Sequence, residues 1–240
     1  YLSFPCPTTT DLKNLTSAFR THAFVGANIT TPHKKTIIPF LDRLDDTART
    51  IGAVNTLCTE KGCLVGKNSD AQGFLNALQD DGIIYKGRPI FVIGAGGAAR
   101  AVAHALAPYV SSMTVYNRTS SLAQQLIQEL KERYQKCIFH HSVDPSRHHT
   151  EPETILVQCT PLGRNEDCPA HPPLIHNMTV VDLLYTQTPL LRKAEKIGAK
   201  TQDGNAMLIH QAALSFSWWF SCSPPLNIMR EANNPKRSFA

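Results

Sequence analysis

The sequence predicts an α/β protein built on a parallel sheet, with a differently organised part preceding it. Three observations carry this. From Pro89 onward, short apolar runs alternate with helical segments, the pattern of a parallel sheet covered on both faces. The first of these runs, Pro89–Ile93, leads into the glycine-rich turn G-A-G-G-A, Gly94 to Ala98, and then into a helix. Before that point the pattern is different: a tight hairpin at Lys61-Gly62 joins two short strands, and a helix ending at Gly82 separates them from the alternating region.

Each element follows from local chemistry. In residues 11–20, Leu12, Leu15 and Phe19 fall on one helical stripe. Ala23–Thr30 reads as a strand. Pro32 suits the first turn of a helix, where its missing N–H costs nothing, and Pro39 ends or kinks that helix. Asp45 or Asp46 can cap a short helix that ends near Gly52. Ala53–Thr59 and Cys63–Lys67 are the hairpin strands, and Asp70–Leu78 is a helix stopped by Gly82. Beyond Pro89–Ile93, strands are predicted at Met113–Tyr116, Thr154–Gln158 and Thr179–Leu183. Helices are predicted at Ala98–Leu106, from Ser120 as a cap through Leu122, Leu126, Ile127 and Leu130, and at Leu190–Ile197 before Gly198. The polar stretch from Asp144 to Glu153, with Pro145 and Pro152, reads as a loop. Met207–Phe220 is apolar enough to be a core helix, and A-N-N-P-K-R-S-F-A at the C-terminus reads as a fraying tail.

Composition bounds the function. An apolar content of 42% with 18% charged residues suits a globular chain with a real core, in one large domain or two modest ones. No run of roughly 18 apolar residues exists to span a membrane. The N-terminal segment Y-L-S-F-P-C-P lacks the basic and apolar regions of a signal peptide. A net charge of +5, scattered along the chain, does not point to nucleic acid; it suits an anionic small molecule and a phosphate-bearing cofactor. Seven cysteines without a C-x-x-C pair read as free thiols of a reduced, cytoplasmic protein, although Cys58 and Cys63 could face each other across the hairpin. His140-His141 and His148-His149 show no metal-ligand spacing and read as a solvated loop, so no metal is expected.

Four segments can carry chemistry. The glycines of Gly94, Gly96 and Gly97 let a backbone approach a pyrophosphate, and the following helix, opening at Ala98, offers N–H groups and the positive end of its dipole. A tight turn with no ligand would have the same glycines. At the end of the next strand, where such folds read the adenosine ribose, the chain offers Asn117, Arg118 and Thr119 in place of an acidic residue. Arg118 can pair with a 2′-phosphate, which favours NADP over NAD; a surface arginine beside a helix cap is the plainer alternative. Lys34, in G-A-N-I-T-T-P-H-K, and Asp70, in G-K-N-S-D-A-Q-G, each follow a strand-like run at a helix start. An amine and a carboxylate beside a dinucleotide site fit hydride reduction of a polar ketone, which needs a proton for the developing alkoxide. An ordinary surface pair has the same spacing. Asn28, Thr30, Asn55, Asn68 and Gln211 could hydrogen-bond a polyhydroxylated ligand, though each residue type also forms turns, caps or satisfied core amides.

Taken together and in order, these segments resemble the shikimate dehydrogenase family. The resemblance rests on G-A-N-I-T-T-P-H-K, I-G-A-V-N-T-L, G-K-N-S-D-A-Q-G, V-I-G-A-G-G-A-A-R, Y-N-R-T, C-T-P-L-G, D-L-L-Y…T-P-L-L and G-N-A-M-L-I-H-Q-A, and it runs from about Phe24 to Trp219. It implies NADP-dependent, reversible reduction of 3-dehydroshikimate to shikimate in aromatic amino-acid biosynthesis. Lys34 and Asp70 match the catalytic pair, while Thr30, Asn55, Asp70 and Gln211 match residues on the substrate hydroxyls. Gly94, Gly96, Gly97, Ala98, Asn117, Arg118 and Thr119 match cofactor positions. The implied architecture is a substrate-binding α/β domain over residues 1–70 and 205–240, completed by C-terminal helices, with a Rossmann-type domain inserted over residues 71–204.

The chain departs from the family pattern in four places. The initial strand with its S-x-S motif, which holds the substrate carboxylate, is not matched by Y-L-S-F-P-C-P. Gln158 stands where the family has Asn before T-P-x-G, Ser69 stands in place of Thr in N-T-D, and the loop between Tyr185 and Thr188 looks shortened. The missing start implies either a piece of a longer, multidomain chain of the kind eukaryotic and fungal versions form, or a degraded relative. Two alternatives to the dehydrogenase follow: a non-catalytic, dehydrogenase-like regulatory domain that senses quinate or shikimate pathway compounds, and a quinate dehydrogenase.

Overall fold

The computed structural model describes residues 2–21, 24–165 and 167–233. The chain forms two compact units, one of Tyr1–Ser69 with Ala212–Pro224, the other of Asp70–Gln211 with Pro225–Ala240.

The first unit begins with helix α1 (Thr9–Thr21), strand β1 (Gly26–Asn28), strand β2 (Arg43–Leu44), helix α2 (Asp46–Ile51) and strands β3 (Thr56–Glu60) and β4 (Cys63–Lys67). Thr8 and Asp11 cap α1 reciprocally: the Asp11 amide donates to Thr8 Oγ1 at 3.2 Å and the Thr8 amide to Asp11 Oδ2 at 2.8 Å. The four-stranded sheet has the order β1-β3-β4-β2, antiparallel except for the β2–β4 pair. The β3–β4 hairpin closes through Lys61 and Gly62, both at positive φ (50° and 79°), the left-handed pair a two-residue turn requires. Asp45 caps α2 by accepting the Ala48 amide at 2.7 Å, and Gly52 ends it at φ 67°. Leu12, Phe19, Ile29, Ile37, Ala48, Val54, Leu57 and Leu64 form the core.

The second unit contains helix α3 (Asp70–Asp80), strand β5 (Pro89–Ile93), helix α4 (Gly97–Leu106), strand β6 (Ser112–Tyr116), helix α5 (Ser120–Arg133), strands β7 (Ile138–Ser142), β8 (Ile155–Gln158) and β9 (Thr179–Asp182), helix α6 (Pro189–Lys196) and strand β10 (Lys200–Gln202). All six strands are parallel, in the order β10-β9-β8-β5-β6-β7. The chain starts in the middle at β5, winds outward to β7, then returns beside β5 and winds the other way. This is the doubly wound Rossmann order, and its switch point lies between β5 and β8. Phe91, Ile93, Leu156, Val180, Leu190 and Leu191 form the main core between β5, β8, β9 and α6.

Helix α7 (Asn205–Phe220) contributes its first seven residues to the second unit and the rest to the first. In the first unit, Trp219 donates its indole N–H to the Leu57 carbonyl at 2.8 Å. Gly26 makes room for that ring: a Cβ there would lie 1.9 Å from Trp219 Nε1. Helix α8 (Leu226–Ala232) closes the described chain. Among the described residues no helix is long and apolar enough to cross a membrane.

Several sequence expectations need correction. Pro32 does not start a helix: residues 31–37 are turns leading to a single 3₁₀ turn at Ile38–Phe40, with Pro39 inside it. Ala53–Asn55 do not join β3, because their backbone groups pair elsewhere; the Val54 amide donates to Lys34 and the Asn55 amide to Lys67. Ser120 does not cap α5. Thr119 occupies that position without a side-chain bond, and Ser120 Oγ instead lies 3.1 Å from His141 Nε2. His140 and His141 sit in strand β7, not in a loop. Cys58 and Cys63 do not face each other; they lie opposite Val65 and Glu60. The loop expected at Asp144–Glu153 holds one 3₁₀ turn, Pro145–Arg147. Ala23, at the start of the expected first strand, and residues 234–240 of the expected tail lie outside the described residues.

Candidate active site

In the first unit the structure draws Thr30, Lys34 and Asn55 to one end of the sheet. β1 runs out through Ile29, whose amide donates to the Asn55 carbonyl at 2.8 Å, so Thr30 follows directly beside Asn55. The chain then turns: the His33 amide bonds the Thr30 carbonyl at 2.8 Å, and buried Ile37 anchors the end of the turn. The Lys34 carbonyl accepts the Val54 amide at 2.7 Å, which fixes the Lys34 backbone one residue from Asn55. Thr30 is exposed and Lys34 half-buried, so both side chains reach solvent, whereas Asn55 is buried.

Asn55 is held on both ends of its carboxamide. Oδ1 accepts the Ser69 amide at 2.8 Å and the Thr56 hydroxyl at 3.1 Å, and Nδ2 donates to Ser69 Oγ at 2.8 Å. The family's Thr at position 69 is Ser here, and the hydroxyl it keeps is fully used. Asn68 supports the same corner by donating to the Ala53 carbonyl at 2.9 Å. Asn28 donates to the Asn55 carbonyl, to Thr56 Oγ1 and to Ser215 Oγ.

Asp70 and Gln211 belong to the second unit. Asp70 is the first residue of α3 and is 4% exposed, a position where the helix dipole favours a carboxylate. Gln211 packs on α3 at Gly73, where a Cβ would come within 2.8 Å of the Gln211 amide nitrogen; its side chain donates to the Leu208 carbonyl at 2.9 Å. Asp80 clamps this arrangement by accepting from His210 Nε2 at 2.7 Å and from Arg230 at 2.5 Å, and the His210 bond above all holds its carboxyl below the usual range.

The glycine turn sits at the switch point of the parallel sheet. Gly94 has φ 116°, a conformation that favours glycine, and a Cβ there would lie 3.2 Å from Thr160 and 3.5 Å from Cys159. Gly96 is the N-cap of α4 and provides no side-chain bond, and the first helical turn holds no acidic residue. A Cβ at Gly96 would meet open space. Gly97 and Ala98 open α4 with their amides in its first turn. Such a helix start, uncapped and free of carboxylates, fits a pyrophosphate. At the end of β6, Asn117 Nδ2 bonds the Thr119 carbonyl at 2.9 Å and shapes the turn, while Arg118 is exposed with no ion-pair partner among the described residues. The residues present therefore fit a dinucleotide, with a cation at the ribose position.

Two features were not evident from the sequence. Gln158, buried at the end of β8, closes the T-P-L-G loop on itself: Oε1 accepts the Thr160 amide at 2.8 Å, and Nε2 donates to the carbonyls of Leu162 (2.8 Å) and Thr160 (3.2 Å). The departure from Asn thus keeps a carboxamide that orders this loop. Asp182, buried at the end of β9, accepts the Leu184 amide at 3.1 Å and the Thr188 hydroxyl at 2.8 Å, organising the D-L-L-Y…T-P turn. Burial is the main cause that pushes its pKa from 3.8 up to about 6. The proton is therefore bound more tightly in the folded state. The stability this group allows is present below about pH 3.8 and declines as pH rises to about 6, by at most about 3 kcal/mol. Asp182→Asn should remove that decline. Chemical denaturation of both proteins at pH 4.5 and 7 will show the difference between them changing with pH, and a pH-independent difference refutes the assignment.

Family models match the chain in three stretches: a shikimate dehydrogenase substrate binding domain over residues 1–57, a shikimate/quinate 5-dehydrogenase model over residues 78–145, and a shikimate 5′-dehydrogenase C-terminal domain over residues 206–232. The shikimate dehydrogenase (NADP(+)) of Symbiobacterium thermophilum is 36% identical over 244 aligned positions, covering 97% of this chain and 82% of the relative. The crystal structure of the Thermus thermophilus shikimate 5-dehydrogenase in complex with NADP(H) and shikimate superposes with a TM-score of 0.79 at 36% identity, covering 93% and 83% of the two chains. The Corynebacterium glutamicum quinate dehydrogenase in complex with NAD gives a TM-score of 0.80 at 31% identity, covering 92% and 81%. With 36% identity over 97% of its length, the chain belongs to the shikimate dehydrogenase family.

Proposed function

We propose that this chain catalyses the reversible, NADP-dependent reduction of 3-dehydroshikimate to shikimate. The observation that carries the substrate side is the grouping of Thr30, Lys34 and Asn55 at one end of the first unit's sheet. In this reading residues 1–70 with 205–240 bind substrate and residues 71–204 bind the cofactor, in the cytoplasm. Asn55, Thr30 and Gln211 hold substrate hydroxyls. Lys34 hydrogen-bonds the ketone oxygen and delivers a proton as the alkoxide develops, with Asp70 as its paired carboxylate. NADP(H) supplies or accepts the hydride. Gly94, Gly96, Gly97 and Ala98 admit the pyrophosphate, while Arg118, with Asn117 and Thr119 shaping its turn, pairs with the 2′-phosphate.

The purified protein, given shikimate and NADP(+), should produce NADPH, followed by absorbance. Shikimate binding without turnover would replace the enzyme by the regulatory, dehydrogenase-like domain, and faster turnover of quinate would make it a quinate dehydrogenase. Arg118 favours the NADP-linked shikimate enzyme over an NAD-linked quinate enzyme.

A further inference from the structure

Helix α7 is apolar along most of its length, and a serine on such a helix would ordinarily be a passenger. Ser215 is not. It is fully buried in the first unit, with its hydroxyl 2.8 Å from Thr56 Oγ1, 3.1 Å from Asn28 Nδ2 and 3.4 Å from Ser69 Oγ. Asn55 Oδ1 can only accept, so the single Thr56 hydroxyl proton goes to it at 3.1 Å. Ser215 Oγ and Thr56 Oγ1 share one hydrogen bond, and Ser215 accepts from the Asn28 amide group. The result is a connected network of Asn28, Ser215, Thr56 and the Asn55 side-chain oxygen, in a buried setting where successive hydrogen bonds strengthen one another.

We propose that Ser215 is a positioning residue for substrate recognition: from the final long helix it braces Thr56, which together with Ser69 holds the Asn55 carboxamide in place for a ligand hydroxyl. The proposal deepens, and rests on, the assignment of Asn55 to the substrate. Without Ser215, Thr56 Oγ1 keeps the Asn28 amide group but loses its 2.8 Å partner, and the Asn55 carboxamide, still bonded to Ser69, loses part of its support.

The experiment compares Ser215→Ala, Thr56→Val, their double variant and Asn55→Ala in the whole protein, with KM for shikimate and NADP(+), kcat and thermal melting measured for each. Ser215→Ala should raise the shikimate KM about 5-fold or more while leaving the NADP(+) KM within about 2-fold, a split that loss of packing alone would not produce. The double variant should be no worse than the worse single change, because both cut the same chain. An unchanged shikimate KM in Ser215→Ala, with Asn55→Ala impaired, overturns the proposal. An unchanged shikimate KM in Asn55→Ala overturns the Asn55 assignment and the proposal with it. If Ser215→Ala does not fold, Thr56→Val, which breaks the next link from the opposite side, decides by the same KM split.

Discussion

Lys34→Ala should lower kcat by about 10²–10⁴-fold, the usual worth of a positioned acid–base group, while leaving NADP(+) binding close to that of the parent. The fold should survive the change, because the Lys34 carbonyl accepts the Val54 amide whatever the side chain. The side chain is half-buried and is not among the core residues of the first unit, such as Ile29, Ile37 and Val54. Steady-state rates with shikimate and NADP(+), together with NADP(+) binding by fluorescence, separate the two effects. A purified Lys34→Ala protein at full rate would refute the proton-transfer role. A loss of cofactor binding equal to the loss of rate would show that the change acts through folding.

Arg118→Ala should raise KM for NADP(+) by about 10–100-fold, corresponding to one charge-assisted contact with a phosphate, and should leave the much weaker use of NAD unchanged. The reasoning is local. Arg118 follows β6, is exposed, and has no ion-pair partner among the described residues, so its removal breaks nothing in the protein itself. Asn117 still shapes the turn through the Thr119 carbonyl. Comparing kcat/KM for NADP(+) and NAD before and after the change isolates the 2′-phosphate. An unchanged ratio would move the specificity to another residue and remove the main argument against an NAD-linked enzyme.

How much of this was legible in the sequence depends on how local the determining physics is. The doubly wound sheet was readable because β5, β6, β8 and β9 are short apolar runs and the glycine turn follows the first of them. Strand β7 was not. Within it Phe139 and Ser142 are buried while Ile138 and His140 face solvent, so the segment reads as polar. Strand β10 is three residues long with one buried side chain, too short for any periodicity. Pro32 satisfied the rule for a helix start, but the turn it sits in is tied to Thr30 and Val54, contacts no local rule contains. The site followed the same division. The glycines and Arg118 announce themselves by residue type and place in the strand–helix pattern. The hydrogen-bonding roles of Ser69, Ser215, Gln158 and Asp182 depend on partners brought together by the fold, and their sequence neighbourhoods give no sign of them.

The passage of α7 through both units has a consequence for how the chain is made. The first unit needs Trp219 against Leu57, with Gly26 leaving room for the ring, yet those residues are synthesised at opposite ends of the chain. At a ribosome adding about 5–20 residues each second, the nascent β1, β3 and β4 must wait several seconds for their last partner while the parallel sheet folds in between. The cell therefore meets a half-finished first unit, with an open place for the indole, during every round of synthesis. The polypeptide most exposed to chaperones and proteases is the one whose translation stops just before α7.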